Sequence, residues 1–241
     1  MAPAPPGAPV DGARPAGFWQ RAAAWSLDAL VPGAAAAVIT WPVLAPAWTR
    51  LVGVTDTVLR DLAVAMAGAL HAQLRGGASL GELPLQLLPA TAEAAARLSP
   101  ALWAASWPLL SAFAALVVAW HAGFEASRRQ ASPGKRLLDL KVTDANGRPP
   151  GMARALARQL AGSLSWLTLN LGHLMAMAGP EHRALHDRIA GTRVLARRPG
   201  LPAWAWSWLL VALLGPVLAT GWLLARVALR LQHLLDQAFW Y

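Results

Sequence analysis

The chain has 241 residues, 56% of them hydrophobic and only 14% charged, where a soluble domain carries about 25% charged residues. Its 13 Trp against 1 Tyr and 4 Phe suit a bilayer interface, where amphipathic rings sit at headgroup level. The net charge of +9 does not point to nucleic acid, because the basic residues flank apolar spans and form no aromatic-interleaved stripe. The absence of Cys excludes disulfides and thiolate metal sites.

Residues 1–17 begin with an Ala/Pro-rich stretch and are expected to form a disordered tail. The first long apolar stretch follows, over residues 18–47, and it carries Arg21 and Asp28. Asp28 interrupts the apolar core that a signal peptide would need, which favours a retained first membrane helix. Pro32, Pro42 and Pro46 are expected to kink or shorten it. Arg21 and Asp28 lie seven residues apart, two helical turns and roughly 10 Å along one face. Charges in a lipid-compatible helix are costly, so that face should look into protein or water.

Residues 47–100 hold four Arg balanced by four acids. Leu51, Val54, Val58, Leu62, Met66 and Leu70 fall on roughly one side of a helix that should end at Gly76-Gly77. This segment reads as a periplasmic amphipathic insertion, lying on the membrane or packed on the bundle. Ala101–Phe124 is the clearest span, 24 residues without Asp, Glu, Lys or Arg, about 36 Å as a helix and enough to cross.

Residues 125–158 hold eight Lys/Arg against three acids, and a second basic run covers 193–198. The positive-inside rule puts both in the cytoplasm, together with the N-terminus. Leu138, Leu140 and Val142 alternate with Asp139, Lys141 and Thr143 before an Asn146-Gly147 turn. Strands are therefore expected near 136–143 and 192–196, forming a small cytoplasmic β element. Residues 153–179 pose a topological problem, because one crossing would separate the two basic runs. A surface-lying helix followed by a re-entrant pair broken near Asn170–Gly172 is preferred, with a plain third span as the alternative. Residues 199–241 read as an additional membrane span with an amphipathic tail. The expected fold is thus an all-α multipass membrane helical bundle with a small β element.

Taken together, the opening Arg21 and Asp28, the run Ser132-Pro-Gly134-Lys135-Arg136 leading into Leu-Leu-Asp-Leu-Lys-Val, an Arg154-Ala-Leu-x-Arg158-x-Leu160 helix, and Arg183-Ala-Leu-His186-Asp187-Arg-Ile-Ala-Gly191-Thr192 form a specific pattern. It resembles the RDD family of bacterial integral membrane proteins, named for one Arg and two Asp. By position these are Arg21, Asp28 and Asp187, with Gly134, Lys135, Arg136, His186, Gly191 and Thr192 as supporting motif residues. The match covers 18–46 and 100–198, so residues 18–198 form the family-like membrane domain. The resemblance implies a bacterial inner-membrane location and a core architecture more firmly than an activity. A few members are associated with sodium/proton exchange, and others are encoded with membrane-complex partners.

Arg21 can snorkel its head to water, whereas Asp28 lies deeper and must be protonated, paired or beside water. Asp187 is the natural second carboxylate, and an Arg between two Asp would clamp the first helix to the cytoplasmic cap. The competing reading is a titratable carboxylate exchanging Na⁺ or H⁺. His182 and His186 have a zinc-compatible spacing but lack the acid between them that a zincin requires, so no metal site is expected, nor any cofactor. Lys135 and Arg136 are candidates to touch anionic lipid headgroups, with solvated surface charge as the alternative. His186 is expected to cap or orient Asp187, and Gly191-Thr192 to make a turn into the strand. No catalytic arrangement stands out, so the protein reads as non-enzymatic. Its expected partners are the lipid bilayer and a protein partner or second copy of the chain.

Overall fold

The computed structural model describes residues 12–76 and 80–240. In chain order the elements are β1 (Arg14–Pro15), α1 (Phe18–Leu74), a short 3₁₀ turn, α2 (Leu83–Ala126), α3 (Pro133–Leu137), β2 (Leu140–Asp144), α4 (Gly151–Leu167), α5 (Leu171–Leu174), α6 (Leu185–Ile189), β3 (Thr192–Ala196) and α7 (Ala203–Trp240). Helices α1, α2 and α7 are each long and apolar enough to cross a membrane. The architecture is a helical membrane bundle with one small sheet, as the composition and patterning indicate.

Several boundaries differ from the sequence expectation. Pro32, Pro42 and Pro46 lie inside α1, which runs unbroken for 57 residues. The amphipathic piece after residue 47 is therefore a continuation of the first helix, not a separate surface helix. Proline is tolerated in such helices because neighbouring groups satisfy the freed carbonyls. Residues 133–137 form a helix, so the second strand starts at Leu140 instead of 136. Proline at the first helical position presets the backbone for that turn. The tail expected over 1–17 gives way at Arg14 to an edge strand. The disorder expected for its first residues falls on 1–11, outside the described residues.

The contacts divide the chain into two units, Met1–Ala36 with Phe113–Leu213, and Ala37–Ala112 with Leu214–Tyr241. In the first unit the antiparallel sheet has the order β1-β3-β2. Leu140 and Arg14 both pair with Ala196, and Asp144 pairs with Thr192. Leu140, Val142, Val194 and Ala196 pack with Ala23, Ala24, Ala205 and Leu209 into a buried core. Small residues on α1 let the sheet approach the helix closely. The Asn146-Gly147 turn is present, with Gly147 at φ +78° and Asp144 Oδ1 accepting the N–H groups of Asn146 and Arg148 at 2.8 and 2.9 Å.

The pairing of Asp144 with Thr192 settles the topology between them. A single crossing would separate these residues by the bilayer thickness of about 30 Å. The chain instead reverses at Leu169 and Asn170, both at positive φ, and returns through α5 on the side it left. The plain third span is therefore ruled out, and the break falls where the residues 170–172 suggested.

The second unit holds the exposed charges Arg60 and Asp61 of α1, with Asp56, and Arg97 of α2 and Arg230 of α7. Leu59 and Ala63 of α1 and Leu234 of α7 are buried together, with Val227, Leu231 and Leu235 against them. Arg230 of α7 donates to Asp56 of α1 at 3.0 Å, and Arg97 of α2 to Asp61 of α1 at 2.7 Å. The C-terminal tail and the 47–100 segment, which the sequence treats separately, thus pack on each other.

Candidate functional site: a buried network of alternating charge

Arg21 opens α1 and points its guanidinium at Asp187 on α6, with which it forms an ion pair. Its Nε donates to the Ala16 carbonyl at 3.0 Å, which fixes the side chain against the strand leading into the helix. Asp187 is fully buried. Its Oδ2 also accepts the N–H of Ala184 at 3.0 Å, closing the first turn of α6, and its Oδ1 accepts Arg158 Nε at 3.0 Å. Burial alone would raise the Asp187 carboxyl, but Arg158 and then Arg21 outweigh it and hold it well below the ordinary carboxylate value.

Arg158 on α4 faces two acids. Besides Asp187, its Nη1 donates to both oxygens of Glu125 at 2.7 Å. Glu125 closes α2, is fully buried, and also accepts Gln159 Nε2 at 2.9 Å and Lys135 Nζ at 3.0 Å. Lys135 in turn donates to Ser132 Oγ at 3.3 Å, and Ser132 donates to Asp28 Oδ2. Asp28 Oδ1 accepts the backbone N–H of Gly134 at 2.7 Å and Trp120 Nε1 at 3.4 Å.

The result is a path that leaves α1 at Arg21 and returns to it at Asp28. It runs through Asp187, Arg158, Glu125, Lys135 and Ser132, contributed by α6, α4, α2 and the α3 turn. Its three cations and three carboxylates balance. Every oxygen of Asp28, Glu125 and Asp187 accepts at least one hydrogen bond. Charges removed from water persist only when paired and hydrogen-bonded in this way.

The two histidines of the network act as acceptors. Lys135 Nζ lies 3.2 Å from His121 Nδ1, and Arg158 Nη2 lies 3.3 Å from His186 Nε2. Each donor requires the facing nitrogen to carry a lone pair, which puts the imidazole proton on His121 Nε2 and His186 Nδ1. Burial, then the Arg158 charge, lower the His186 pKa to about 3 despite Asp187. His186 thus sits beside Asp187 as a neutral ring, while the cap of α6 comes from Asp187 itself.

The remaining sequence candidates fall into place. Gly134 is required by a close approach: a Cβ there would meet the Ala24 carbonyl and stand 2.9 Å from Asp28 Cγ. Lys135 is buried in the network, so its reading as a headgroup contact is corrected, because Glu125 supplies the anion. Arg136 is exposed and sits 5.9 Å from the Phe124 ring centroid. Gly191 turns at φ +63° into β3, whose first residue, Thr192, is buried. His182 Nδ1 pairs with the Ala176 carbonyl at 3.0 Å, apart from His186.

Arg21 and Asp28 do not flank one another as a direct clamp; they are the two ends of the path. The sequence reading missed Glu125, His121 and Gln159, and named Ser132 and Arg158 only as members of the resembling motifs, without a role. One signal was available: His121 and Glu125, four residues apart at the end of an apolar span, present two titratable groups on one helix face.

The RDD family model matches residues 15–191. Among curated proteins, the uncharacterized protein YxaI of Bacillus subtilis (strain 168) is 31% identical over 88 residues, which is 36% of this chain and 58% of that protein. The chain therefore spans little more than half the length of that relative. No solved structure matches. The matched span contains the pair Arg21–Asp187 and the Asp28 cradle, and the three long apolar helices suit a bilayer: this chain is a membrane protein belonging to the RDD family.

Proposed function

We propose that the protein is a non-enzymatic structural or partner-binding component of a bacterial inner-membrane complex, with its N-terminus and sheet in the cytoplasm. The charge network serves as the lock that ties the first span to the cytoplasmic cap. The observation carrying this reading is the saturation of the carboxylates. Asp28 is 2% exposed and has both oxygens engaged by Ser132, Gly134 and Trp120. A cation carrier needs carboxylate oxygens free to take up an ion and a path along which to release it.

The orientation follows from the basic residues between α2 and α7, which the positive-inside rule assigns to the cytoplasm. The partner is a membrane protein or a second copy of this chain.

Reconstitution into vesicles tests the reading. The purified protein should show no Na⁺- or pH-driven flux above empty vesicles, and Asp28→Asn should lower the yield of folded protein. Flux in the wild type that Asp28→Asn abolishes while the fold survives would establish the rival, a small cation or proton transporter.

A further inference from the structure

Helix α4 is built inside out. The side packed into its unit carries Arg158, Gln159 and Ser165 beside the buried Ala155 and Ala161. The opposite side carries Met152, Leu156, Leu160 and Leu164, which are 52%, 38%, 61% and 50% exposed, with Ala153, Ala157 and Ser163 between them. A helix lying on a protein in water shows the reverse pattern, with its apolar stripe facing the core. The exposed apolar surface continues past the reversal through Leu169 and Leu171, which are 88% and 63% exposed. An apolar surface of this extent marks contact with another apolar phase.

The exposed charge of the same unit is predominantly basic. Arg136, Arg148, Arg154, Arg188 and Arg197 are exposed. Asp139 pairs with Arg198, Asp144 with Arg154, and Glu181 with Arg183 and Arg193.

We infer that α4 and its return through α5 lie in the anionic headgroup–acyl boundary of the leaflet on the side of the sheet, with the Met152, Leu156, Leu160 and Leu164 edge against the acyl chains. The occupant of this face is lipid, not a second copy of the chain. An apolar helix edge in a unit whose exposed charge is predominantly basic matches both the acyl chains and the anionic headgroups of such a leaflet. The pairing of Asp144 with Thr192 agrees with this placement, since the segment enters and leaves on one side. The irregular backbone at Leu169–Asn170 is allowed at that depth because headgroups and water can reach it. The inference rests only on membership of the membrane, and it holds whether or not the protein carries ions.

The chain has no Cys, so single cysteines can be read without background. Leu160→Cys and Asn146→Cys, each carrying a bimane probe, are placed in proteoliposomes of phosphatidylcholine with or without phosphatidylglycerol, with brominated acyl chains as quencher. The Leu160 probe should be quenched at least two-fold, and more strongly with phosphatidylglycerol, while the Asn146 probe in the turn stays unquenched. Equal reaction of both positions with a membrane-impermeant maleimide, without quenching, would overturn the inference. So would disulfide formation between Leu160→Cys protomers in place of quenching. Equal quenching in neutral and anionic vesicles would refute the headgroup part. Should Leu160→Cys fail to fold, Leu156→Cys reads the same face.

Discussion

The backbone N–H of Gly134 donates to Asp28 Oδ1 at 2.7 Å, and the volume a Cβ would take at position 134 is filled by the Ala24 carbonyl and the Asp28 carboxyl. The turn that starts α3 therefore touches α1 backbone to carboxylate, with no side chain between them. Gly134→Ala should push the turn off the helix and destabilise the folded protein by about 1–3 kcal/mol, the usual range for overpacking a tight contact. Thermal unfolding in detergent measures it, and an unchanged midpoint would show that the approach is not required.

Asp187 is the point where two guanidiniums converge, from Arg21 and Arg158. Asp187→Asn keeps the shape but leaves both cations with less compensation inside the protein. Removing one member of a buried ion pair costs about 3–5 kcal/mol. The expected result is a large loss of folded protein, read by fluorescence-detected size exclusion.

The exposed pairs of the second unit should behave differently. Asp61 is 58% exposed and Arg97 43%, and surface pairs of this kind are screened and weak. Asp61→Asn should leave the unfolding midpoint unchanged within error, and a drop comparable to that of Asp187→Asn would contradict the distinction drawn between the two units.

Acid should weaken the fold through His186 before it reaches Asp187. The folded state holds His186 near 3, whereas an unfolded histidine titrates near about 6.5. Between those values the unfolded chain binds a proton that the folded chain refuses, so stability falls as pH drops through this window. His173, whose ring lies 5.1 Å from that of His186, is also lowered, first by burial and then by Arg158, and it adds in the same direction. Asp187, lowered in the fold, contributes stability that is present above the unfolded carboxylate value of about 3.9 and is lost only below it. The midpoint should therefore decline from about pH 6.5 toward about pH 4.5, and His186→Gln should flatten the decline. Parallel curves for the two proteins would rule His186 out as the source.

The residues differ in how far the sequence exposed their roles. The three long apolar stretches were legible because a crossing needs length and absence of charge, which are local properties. The proximity of Arg21 and Asp187 followed from the resemblance, not from spacing, since 166 positions separate them. The partners of Asp28 were hidden because they are a main-chain N–H, a hydroxyl and an indole N–H, groups that no charge pattern reveals. Arg158 stands in the sequence as one of two arginines of the resembling helix motif and of the cytoplasmic flank, alongside Arg154. Only the packing shows Arg158 turned inward to Glu125 and Asp187 while Arg154 stays 57% exposed. Strand β1 was missed because two residues carry no period, and the continuity of α1 because three prolines outweighed the helical pattern on either side.

A lock between the first helix and the cap requires energetic coupling between Arg21 and Asp187. A double-mutant cycle with Arg21→Met and Asp187→Asn, followed by chemical unfolding in detergent, measures it directly. The lock predicts a coupling of roughly 1–3 kcal/mol between the two positions. Additivity of the two single changes to within about 0.5 kcal/mol would contradict it.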